Sequence, residues 1–380
     1  MNWIFTISFC FLTTLPFLGE ACTAFQLKAQ DGSYIYGRSM EFGFRLDSDL
    51  LIVPRDMEYI GTAPDGLAGL KWKTKYGYVG MNQSIAKTVV SDGMNEKGLV
   101  ASLLYLPGYA EYQKPDSTKT DRTIGAWELP TFLLGTCSTI QEVKAILTSI
   151  HVAEQPTPYL GDFVLPLHFY ISDCTGAVLI IEYSKGERHI YDNPLGVLTN
   201  SPCFDWHLTN LENYINLSPS NAPELNLANW TVRNYGQGSG LLGLPGDYTP
   251  ASRFVKAVLF SQWASQAKNA TEAVNTSFHI LNTFDIFEGI IRTQSNEKNN
   301  ITLPTTKTTP SIETHEDMTE WTIVHDKSNL KTYFRTYESL RIQMVDFTKI
   351  DFSKRGFRKI SLAKDFTIED VSQNANPIVE

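Results

Sequence analysis

Segments with the pattern of β-strands occur in this sequence as neighbouring pairs joined by short turns. Residues 23–29 and 34–40 flank Asp31-Gly32, a two-residue turn signal. A second pair, VVSDG and GLVASLLYL, is predicted to turn across residues 94–97. Strands joined by such tight turns pair antiparallel, whereas parallel strands need long crossover connections. The sequence therefore predicts antiparallel sheets.

The helical segments are grouped between the strand pairs and do not alternate with single strands. After Thr139 apolar residues recur at helical spacing, and Thr139-x-x-Glu142 has the form of a capping box. Further helices are predicted at 205–216, 250–264 and 270–283. This grouping predicts an α+β fold in which the sheets are packed between helices.

The remaining segments predict a single mature domain. Polar residues 293–311, rich in Thr and Asn, predict an exposed loop. Neither an internal repeat nor a Pro/Gly/Ser linker divides residues 22–380. Additional strands are predicted at 168–173, 177–183, 188–191, 195–199, 321–325, 331–337 and 340–347.

The amino terminus carries an apolar segment that is typical of export. Residues 3–18 are almost all apolar, and Gly19-Glu20-Ala21 supplies small residues at the usual positions before a cleavage site. An apolar run of about 16 residues is short for a membrane span, and no later run reaches the roughly 18 apolar residues that a span requires. We therefore expect residues 1–21 to be a removed signal peptide. The mature chain is expected to be periplasmic or secreted, without stable membrane insertion.

Charge and ligand spacing exclude several functional classes. A net charge of −9 and a pI near 5.4 disfavour nucleic acid as a partner. No CxxC or HExxH spacing occurs, so we expect no metal site. Residues 238–243 fit GxGxxG, but Pro245 and Gly246 follow where a dinucleotide site requires a helix. We therefore expect no dinucleotide cofactor.

Cleavage before Cys22 would place a thiol and a free α-amine on the same residue. A free α-amino group has a pKa of about 7.7–8.0, so it can take the thiol proton and return it to a leaving group. Cys22 is therefore a candidate nucleophile that carries its own base. The alternative is a small buried cysteine that happens to follow a signal peptide.

The first hairpin brings two charged residues near Cys22. If Asp31-Gly32 is a two-residue turn, paired residue numbers sum to 63 and Cys22 lies opposite Glu41. Arg38 would lie near the same strand ends, where a cation favours the thiolate. It would point away from the face of Glu41 unless a bulge or a one-residue slip intervenes. The alternative is a surface ion pair between Arg38 and Glu41.

Four sequence motifs resemble those of one enzyme family. They are CTAFQLKAQDGSYIYGRSMEF (22–42), DGMNEKGL (92–99), GVLTNSPCFDWHLTNLENY (196–214) and GLPGDYTPASRFVKA (243–257), in the expected order. They are similar to the choloylglycine hydrolase family, which contains bile salt hydrolases and penicillin V acylases that begin with a nucleophilic cysteine. The resemblance implies a four-layer αββα sandwich of the N-terminal-nucleophile type. It also implies cleavage of the linear C–N bond of a small-molecule acyl-amide substrate without a cofactor.

The resemblance implies catalytic roles for five residues. Cys22 matches the nucleophile, Arg38 its cationic neighbour, and Glu41 a position at which most members have Asp beside the α-amine. Asn200 matches the oxyanion-hole asparagine, and Arg253 a second active-site arginine. Without the resemblance, Asn200 would be interpreted as part of an Asn-Ser-Pro turn. Arg253 would be interpreted as a solvated arginine in the first turn of a helix.

Tyr105 falls where bile salt hydrolases usually carry Asn and penicillin V acylases carry an aromatic residue. By this resemblance its backbone N–H is the second oxyanion donor, and Met40, Phe42 and Tyr105 are candidate walls of an acyl pocket. The aromatic residue favours a substrate like those of penicillin V acylases or N-acyl-homoserine lactone acylases. A buried strand tyrosine is the alternative, and it is compatible with this role.

Two other functions stay open at this point. One is hydrolysis of conjugated bile salts. The other is an exported binding protein that kept the fold and lost turnover, for which the Glu residue at position 41 is the only indication.

The resemblance also implies a homotetramer that associates through a segment near 205–235.

Overall fold

Two antiparallel β-sheets form the centre of the protein in the computed structural model, which describes residues 22–43, 45–294 and 314–374. The α-helices are α1 (Leu129–Thr136), α2 (Ile140–Leu147), α3 (Phe204–Leu211), α4 (Pro250–Trp263) and α5 (Ala270–Asn282). The strands are β1 (Cys22–Lys28), β2 (Tyr34–Phe42), β3 (Asp49–Val53), β4 (Glu58–Thr62), β5 (Ala68–Lys73), β6 (Tyr78–Gln83), β7 (Ala86–Asn95), β8 (Val100–Tyr105), β9 (Thr123–Ile124), β10 (His151–Val152), β11 (Leu167–Ser172), β12 (Val178–Ser184), β13 (Glu187–Asp192), β14 (Leu225–Leu227), β15 (Trp230–Val232), β16 (Arg292–Gln294), β17 (Thr314–Glu316), β18 (Met318–Asp326), β19 (Lys331–Thr336), β20 (Gln343–Asp346) and β21 (Arg358–Ser361).

The two main sheets differ in size. The smaller has the strand order β1-β2-β18-β19-β20, and the larger has the order β13-β12-β11-β8-β7-β6-β3-β21. All pairings within these two sheets are antiparallel. The predicted antiparallel pairing is therefore confirmed.

Helices cover the outer faces of both sheets. α4 packs on β1 of the smaller sheet, and α5 packs on β2 and β18. On the other side, α1 packs on β7 and β8 of the larger sheet. The layers therefore run helix, sheet, sheet, helix, which confirms the predicted αββα sandwich.

The alternation of side chains in strand β3 shows why both faces of the larger sheet are buried. Leu50 and Ile52 belong to the apolar cluster between the two sheets, whereas Leu51 and Val53 belong to the cluster under α1 and α2. Successive side chains of a strand point to opposite faces, so a continuous apolar run is buried on both. The run DLLIV thus specifies a strand buried on both faces, which the alternating patterns did not reveal.

The register of the first hairpin differs from the prediction by one residue. Cys22 pairs with Met40, so the paired numbers sum to one less than a two-residue turn requires. The loop has three residues, because Ala29 N–H donates to the carbonyl of Ser33 at 2.9 Å. Gly32 adopts a φ of 90°, which suits the glycine of a three-residue hairpin loop. The predicted opposition of Cys22 and Glu41 is therefore wrong.

This one-residue difference exchanges the two faces of β2. In the observed register Ala24 pairs with Arg38, and Cys22 pairs with Met40. Since side chains alternate along a strand, Arg38 and Met40 share the face of Cys22, and Glu41 lies on the opposite face. The three-residue loop therefore supplies the one-residue shift in register that places Arg38 beside the thiol.

Several other predicted elements have different bounds. Residues 195–199 form no strand, only a single bridge between Leu198 and Ala24. The helix predicted at 205–216 ends at Leu211 and continues as one 3₁₀ turn. The helix after Thr139 is confirmed, since Thr139 Oγ1 accepts from the N–H of Glu142 at 3.2 Å. α1 and strands β3–β6 were not predicted, because their short apolar runs lack a clear period.

Two predictions fall mainly on residues that lie outside the described ranges. The signal peptide, 1–21, lies wholly outside them, and the loop at 293–311 lies almost wholly outside them. Within the described ranges, none of the helices has the length and apolar character needed to cross a bilayer.

Candidate active site

Cys22 begins strand β1 and lies on the wall of an apolar pocket between the two sheets. Its side chain is buried, and the pocket contains about 770 Å³ of empty space including its open mouth. Met40, Phe42 and Tyr105, the predicted pocket walls, line the same space. Most other lining side chains are aliphatic or aromatic, so the pocket is suited to an apolar group held next to a thiol.

Arg38 points its guanidinium at the thiol. Nη2 lies 3.6 Å from Sγ of Cys22 and 3.8 Å from Sδ of Met40, and it donates to the carbonyl of Leu103 at 2.7 Å. Nη1 donates to the carbonyl of Ser91 at 2.8 Å. Arg38 is fully buried, so the predicted alternative of a surface ion pair with Glu41 is wrong.

The charge of Arg38 is maintained despite burial. Loss of solvent by itself would lower the pKa of this guanidinium, but the nearby Cys22, Tyr36 and Asp92 raise it above its usual value. The salt bridge of Arg38 is made with Asp92, at 3.2 Å, and both side chains are fully buried. A permanent cation next to Sγ favours a thiolate over a thiol.

Asn200 connects three parts of the site. Its Oδ1 accepts from the backbone nitrogen of Cys22 at 2.7 Å and from Nη2 of Arg253 at 2.7 Å. Its Nδ2 donates to the backbone carbonyl of Tyr105 at 2.9 Å. An amide nitrogen carries two hydrogens, so the bond to Tyr105 uses only one of them. The predicted set Cys22, Asn200, Tyr105 and Arg253 is therefore brought together.

Arg253 lies in the first turn of α4 and is fully buried, so the predicted alternative of a solvated arginine is wrong. Thr249 is the N-cap and Pro250 the first helical residue, as predicted. Nη1 of Arg253 donates to the carbonyl of Cys22 and, at 2.7 Å, to Oγ1 of Thr23. A cation opposes the dipole at this end of a helix, and these acceptors offset that cost.

Glu41 lies on the face of β2 that does not carry the thiol. It is fully buried, and its Oε1 accepts from Oγ1 of Thr319 at 3.4 Å, while Oε2 has no hydrogen-bond partner. Burial raises its pKa to about 8, although the charge of Arg253 opposes the rise. In this structure the backbone nitrogen of Cys22 donates to Asn200 and not to Glu41.

Three buried residues next to the site were not singled out from the sequence. Asp92 binds Arg38, His325 binds Asp92, and Asp317 lies close enough to Arg253 to be influenced by its charge. Burial raises the pKa of Asp317 to about 7. Asp92 is the first residue of the motif DGMNEKGL, and its place in that motif was the only sequence signal for a role near the site.

The other potential ligands do not form a second centre in the described ranges. No group of three His, Cys, Asp or Glu side chains there could hold a metal ion. Cys137, Cys174 and Cys203 are free thiols, of which Cys137 is buried and Cys174 is exposed. The GxGxxG segment contains a 3₁₀ turn over Ser239–Leu241 and does not open an α-helix, since α4 begins only at Pro250.

Comparison with known proteins supports one family. Residues 22–358 match the sequence profile described as linear amide C–N hydrolases, choloylglycine hydrolase family. The chain is 30% identical over 357 residues to the bile salt hydrolase/transferase of Clostridium perfringens, covering 92% of this chain and 100% of that protein. It is 30% identical over 378 residues to the penicillin V acylase of Pectobacterium atrosepticum, covering 92% of this chain and 87% of that protein.

The fold agrees with the sequence comparison. A crystal structure of a mutant conjugated bile acid hydrolase from Clostridium perfringens superposes with a TM-score of 0.78 at 29% identity, covering 92% of this chain and 100% of that chain. Profile, relatives and fold therefore agree over most of the described residues. The chain belongs to the choloylglycine hydrolase family and is an amidohydrolase acting on linear C–N bonds.

Proposed function

We propose that this amidohydrolase uses Cys22 as its nucleophile after residues 1–21 are removed, and that it cleaves amides with apolar acyl groups. The observation that carries the proposal is the position of Sγ, 3.6 Å from a buried guanidinium and on the wall of an apolar pocket. The family match begins at Cys22, which supports a mature chain starting there.

The proposed reaction has two acyl-transfer steps. The Cys22 thiolate attacks the amide carbonyl, the C–N bond breaks, and the α-amine of Cys22 passes the thiol proton to the leaving nitrogen. Water then attacks the thioester, which frees the acid and restores the thiol proton. Asn200 Nδ2 and the backbone N–H of Tyr105 would stabilise the oxyanion in both steps.

Intact-mass spectrometry during turnover tests the nucleophile. We expect an acyl adduct on Cys22, and we expect Cys22→Ser to lose the thioester and nearly all activity. A mature chain that begins at another residue, or full turnover by a chain with a blocked amino terminus, would contradict the mechanism. The same spectrum of the mature protein tests removal of residues 1–21 and hence export.

We infer a substrate class from the lining of the pocket. Aromatic residues, Phe42 and Tyr105 among them, line it, and this supports penicillin V or a long-chain N-acyl-homoserine lactone as substrate. Hydrolysis of conjugated bile salts is the second candidate, supported by the Clostridium perfringens relative that this chain matches over its full length. Rates on penicillin V, a long-chain acyl-homoserine lactone and glycocholate discriminate between the two. A preference for glycocholate would favour the second.

We also propose that the enzyme associates into a homotetramer through the segment that includes β14 and β15. This short hairpin is exposed, and Trp230 is 73% and Leu225 57% exposed. Exposed apolar side chains of this size indicate an interaction surface. Light scattering should give a tetramer for the wild type and smaller species for Trp230→Ser; a monomeric wild type would contradict the proposal.

A further inference from the structure

A buried carboxylate lies at the end of the Arg38 guanidinium that does not contact the thiol. Oδ2 of Asp92 accepts from Tyr36 at 2.8 Å, from Ser102 at 2.6 Å and from Nη1 of Arg38 at 3.2 Å. Oδ1 faces Nε2 of His325 at 2.8 Å. Asp92 belongs to the larger sheet, whereas Arg38 and His325 belong to the smaller one. The carboxylate therefore joins the two sheets behind the site.

His325 holds this carboxylate from strand β18. Its ring stacks on Tyr36 with an interplanar angle of 16°, and the two residues are paired between β18 and β2. Nδ1 lies 2.7 Å from Oγ1 of Thr332 on β19. His325, Asp92 and Thr332 are all fully buried. A chain of hydrogen bonds thus runs from Thr332 through His325 and Asp92 to Arg38.

The hydrogen between Nε2 of His325 and Oδ1 of Asp92 can be assigned to one of the two residues. Burial by itself would raise the pKa of Asp92, but the hydrogen bond and charge of His325, together with Arg38, lower it to about 2. Asp92 is therefore an ionised acceptor at neutral pH, and Nε2 of His325 must donate to it. Hydrogen bonds to a charged group are stronger than neutral ones, so the carboxylate is held firmly in one orientation.

The orientation of the guanidinium depends on its terminal nitrogens. Nε of Arg38 is buried without a hydrogen-bond partner, so it does not fix the plane. Nη1 is held by Ser91 and Asp92, and this determines where Nη2 points. Nη2 then reaches both Leu103 and the sulfur of Cys22.

We propose that Asp92 and His325 are positioning residues that hold the Arg38 guanidinium against Sγ of Cys22. The inference deepens the proposed function and rests on it, because it assigns how the thiolate of that mechanism is stabilised. Asp92 contacts Arg38 and His325 contacts Asp92, so both act through Arg38 and neither touches the reacting atoms.

The charge of Asp92 makes this role distinguishable from a purely electrostatic one. Removing a nearby negative charge stabilises a thiolate if every other group stays in place. Releasing Arg38 from its position has the opposite effect, because the thiolate loses its cationic partner. The two explanations therefore predict opposite shifts in the pH dependence of thiol reactivity when Asp92 is replaced by Asn.

The experiment measures alkylation of Cys22 by iodoacetamide as a function of pH, in the mature full chain, with the modified peptide identified by mass spectrometry. For Asp92→Asn we expect the pH midpoint of the alkylation rate to lie above that of the wild type, because the thiolate loses its cationic partner. We also expect kcat to fall by about 100-fold with KM nearly unchanged, since a misplaced active-site group costs that much. Asp173→Asn, which alters another fully buried aspartate without contact to Arg38, is the matched control and should leave the midpoint unchanged.

A second pair of variants keeps the test valid if Asp92→Asn does not fold. His325→Gln retains an N–H donor for Asp92 and should keep the wild-type midpoint, whereas His325→Phe should raise it. An unchanged or lower midpoint in Asp92→Asn or His325→Phe, or an equal rise in Asp173→Asn, overturns the inference. Absence of an acyl adduct in the wild type would instead overturn the proposed function, because alkylation needs no substrate.

Discussion

Nη2 of Arg38 lies 3.6 Å from Sγ of Cys22 because the loop between their strands has three residues and not two. With a two-residue loop, Arg38 would face the opposite side of the smaller sheet. Both residues are buried, so the cation acts on the sulfur across little solvent. The chemistry proposed for Cys22 depends on this register.

Arg38→Lys should reduce kcat by at least about 100-fold, the usual cost of losing one group that stabilises charge during acyl transfer. Lysine has a single ammonium, which cannot reach Ser91, Leu103 and the sulfur together as the planar guanidinium does. Steady-state kinetics and the alkylation rate of the thiol check this. Arg335→Lys in the same sheet, whose Arg binds Asp285, is the control and should keep wild-type kcat. Equal kcat values for Arg38→Lys and Arg335→Lys would contradict the prediction.

Asn200→Ala should lower kcat by roughly 100- to 1000-fold, because one side-chain donor of an oxyanion hole has that effect. It also frees Arg253 and the nitrogen of Cys22 from their shared acceptor. The measurement is kcat together with the rate of acyl-enzyme formation. Asn82→Ala removes a buried asparagine that likewise accepts and donates one backbone hydrogen bond, and it should affect stability but not kcat. A loss confined to KM would be inconsistent with an oxyanion role.

Glu41→Gln should stabilise the protein more at high pH than at low pH. The pKa of Glu41 in the folded state is about 8, above its ordinary value of 4.5. Its contribution to stability is therefore present below pH 4.5 and is lost as the pH rises towards 8, at no more than about 1.4 kcal/mol per pH unit. Glutamine stays neutral at every pH, so the Glu41→Gln variant does not lose this stability as the pH rises.

Thermal unfolding of wild type and Glu41→Gln between pH 5 and 9 checks the direction. The difference in Tm should grow between pH 5 and 8 and then level off. Glu288→Gln removes the same charge from an exposed side chain and serves as the control. A difference that shrinks as the pH rises would mean that Glu41 is ionised in the folded protein, as a contact with the free α-ammonium of Cys22 would require.

Tyr105→Ala should raise KM for a substrate with an aromatic acyl group by about 10-fold or more, since each 1.4 kcal/mol of lost contact is tenfold in affinity. The side chain lines the pocket, whereas the contact with Asn200 uses the backbone carbonyl. We therefore expect kcat to change much less than KM. Tyr105→Phe keeps the ring and should keep KM. If Tyr105→Ala left KM unaltered, the acyl group would bind elsewhere.

Local sequence signals were sufficient for the elements that carry the site. The strand pair around Asp31-Gly32 is present, although in a register shifted by one residue. The N-cap at Thr249-Pro250 and the helix after it are present as predicted. These features depend on turn and cap residues within a few positions of each other, so no tertiary information is needed to find them. The family motifs added Asn200 and Arg253, which local pattern alone would have left as a turn and a surface charge.

Tertiary structure decided which side chains meet. Asp92 and His325 are 233 residues apart and touch only because the two sheets stack face to face. The register that sets Arg38 beside Cys22 depended on one loop residue, and every side chain of β2 changes face when that residue is added or removed. Composition and periodicity specify which residues are buried, but contacts across layers arise from packing that a linear pattern does not encode.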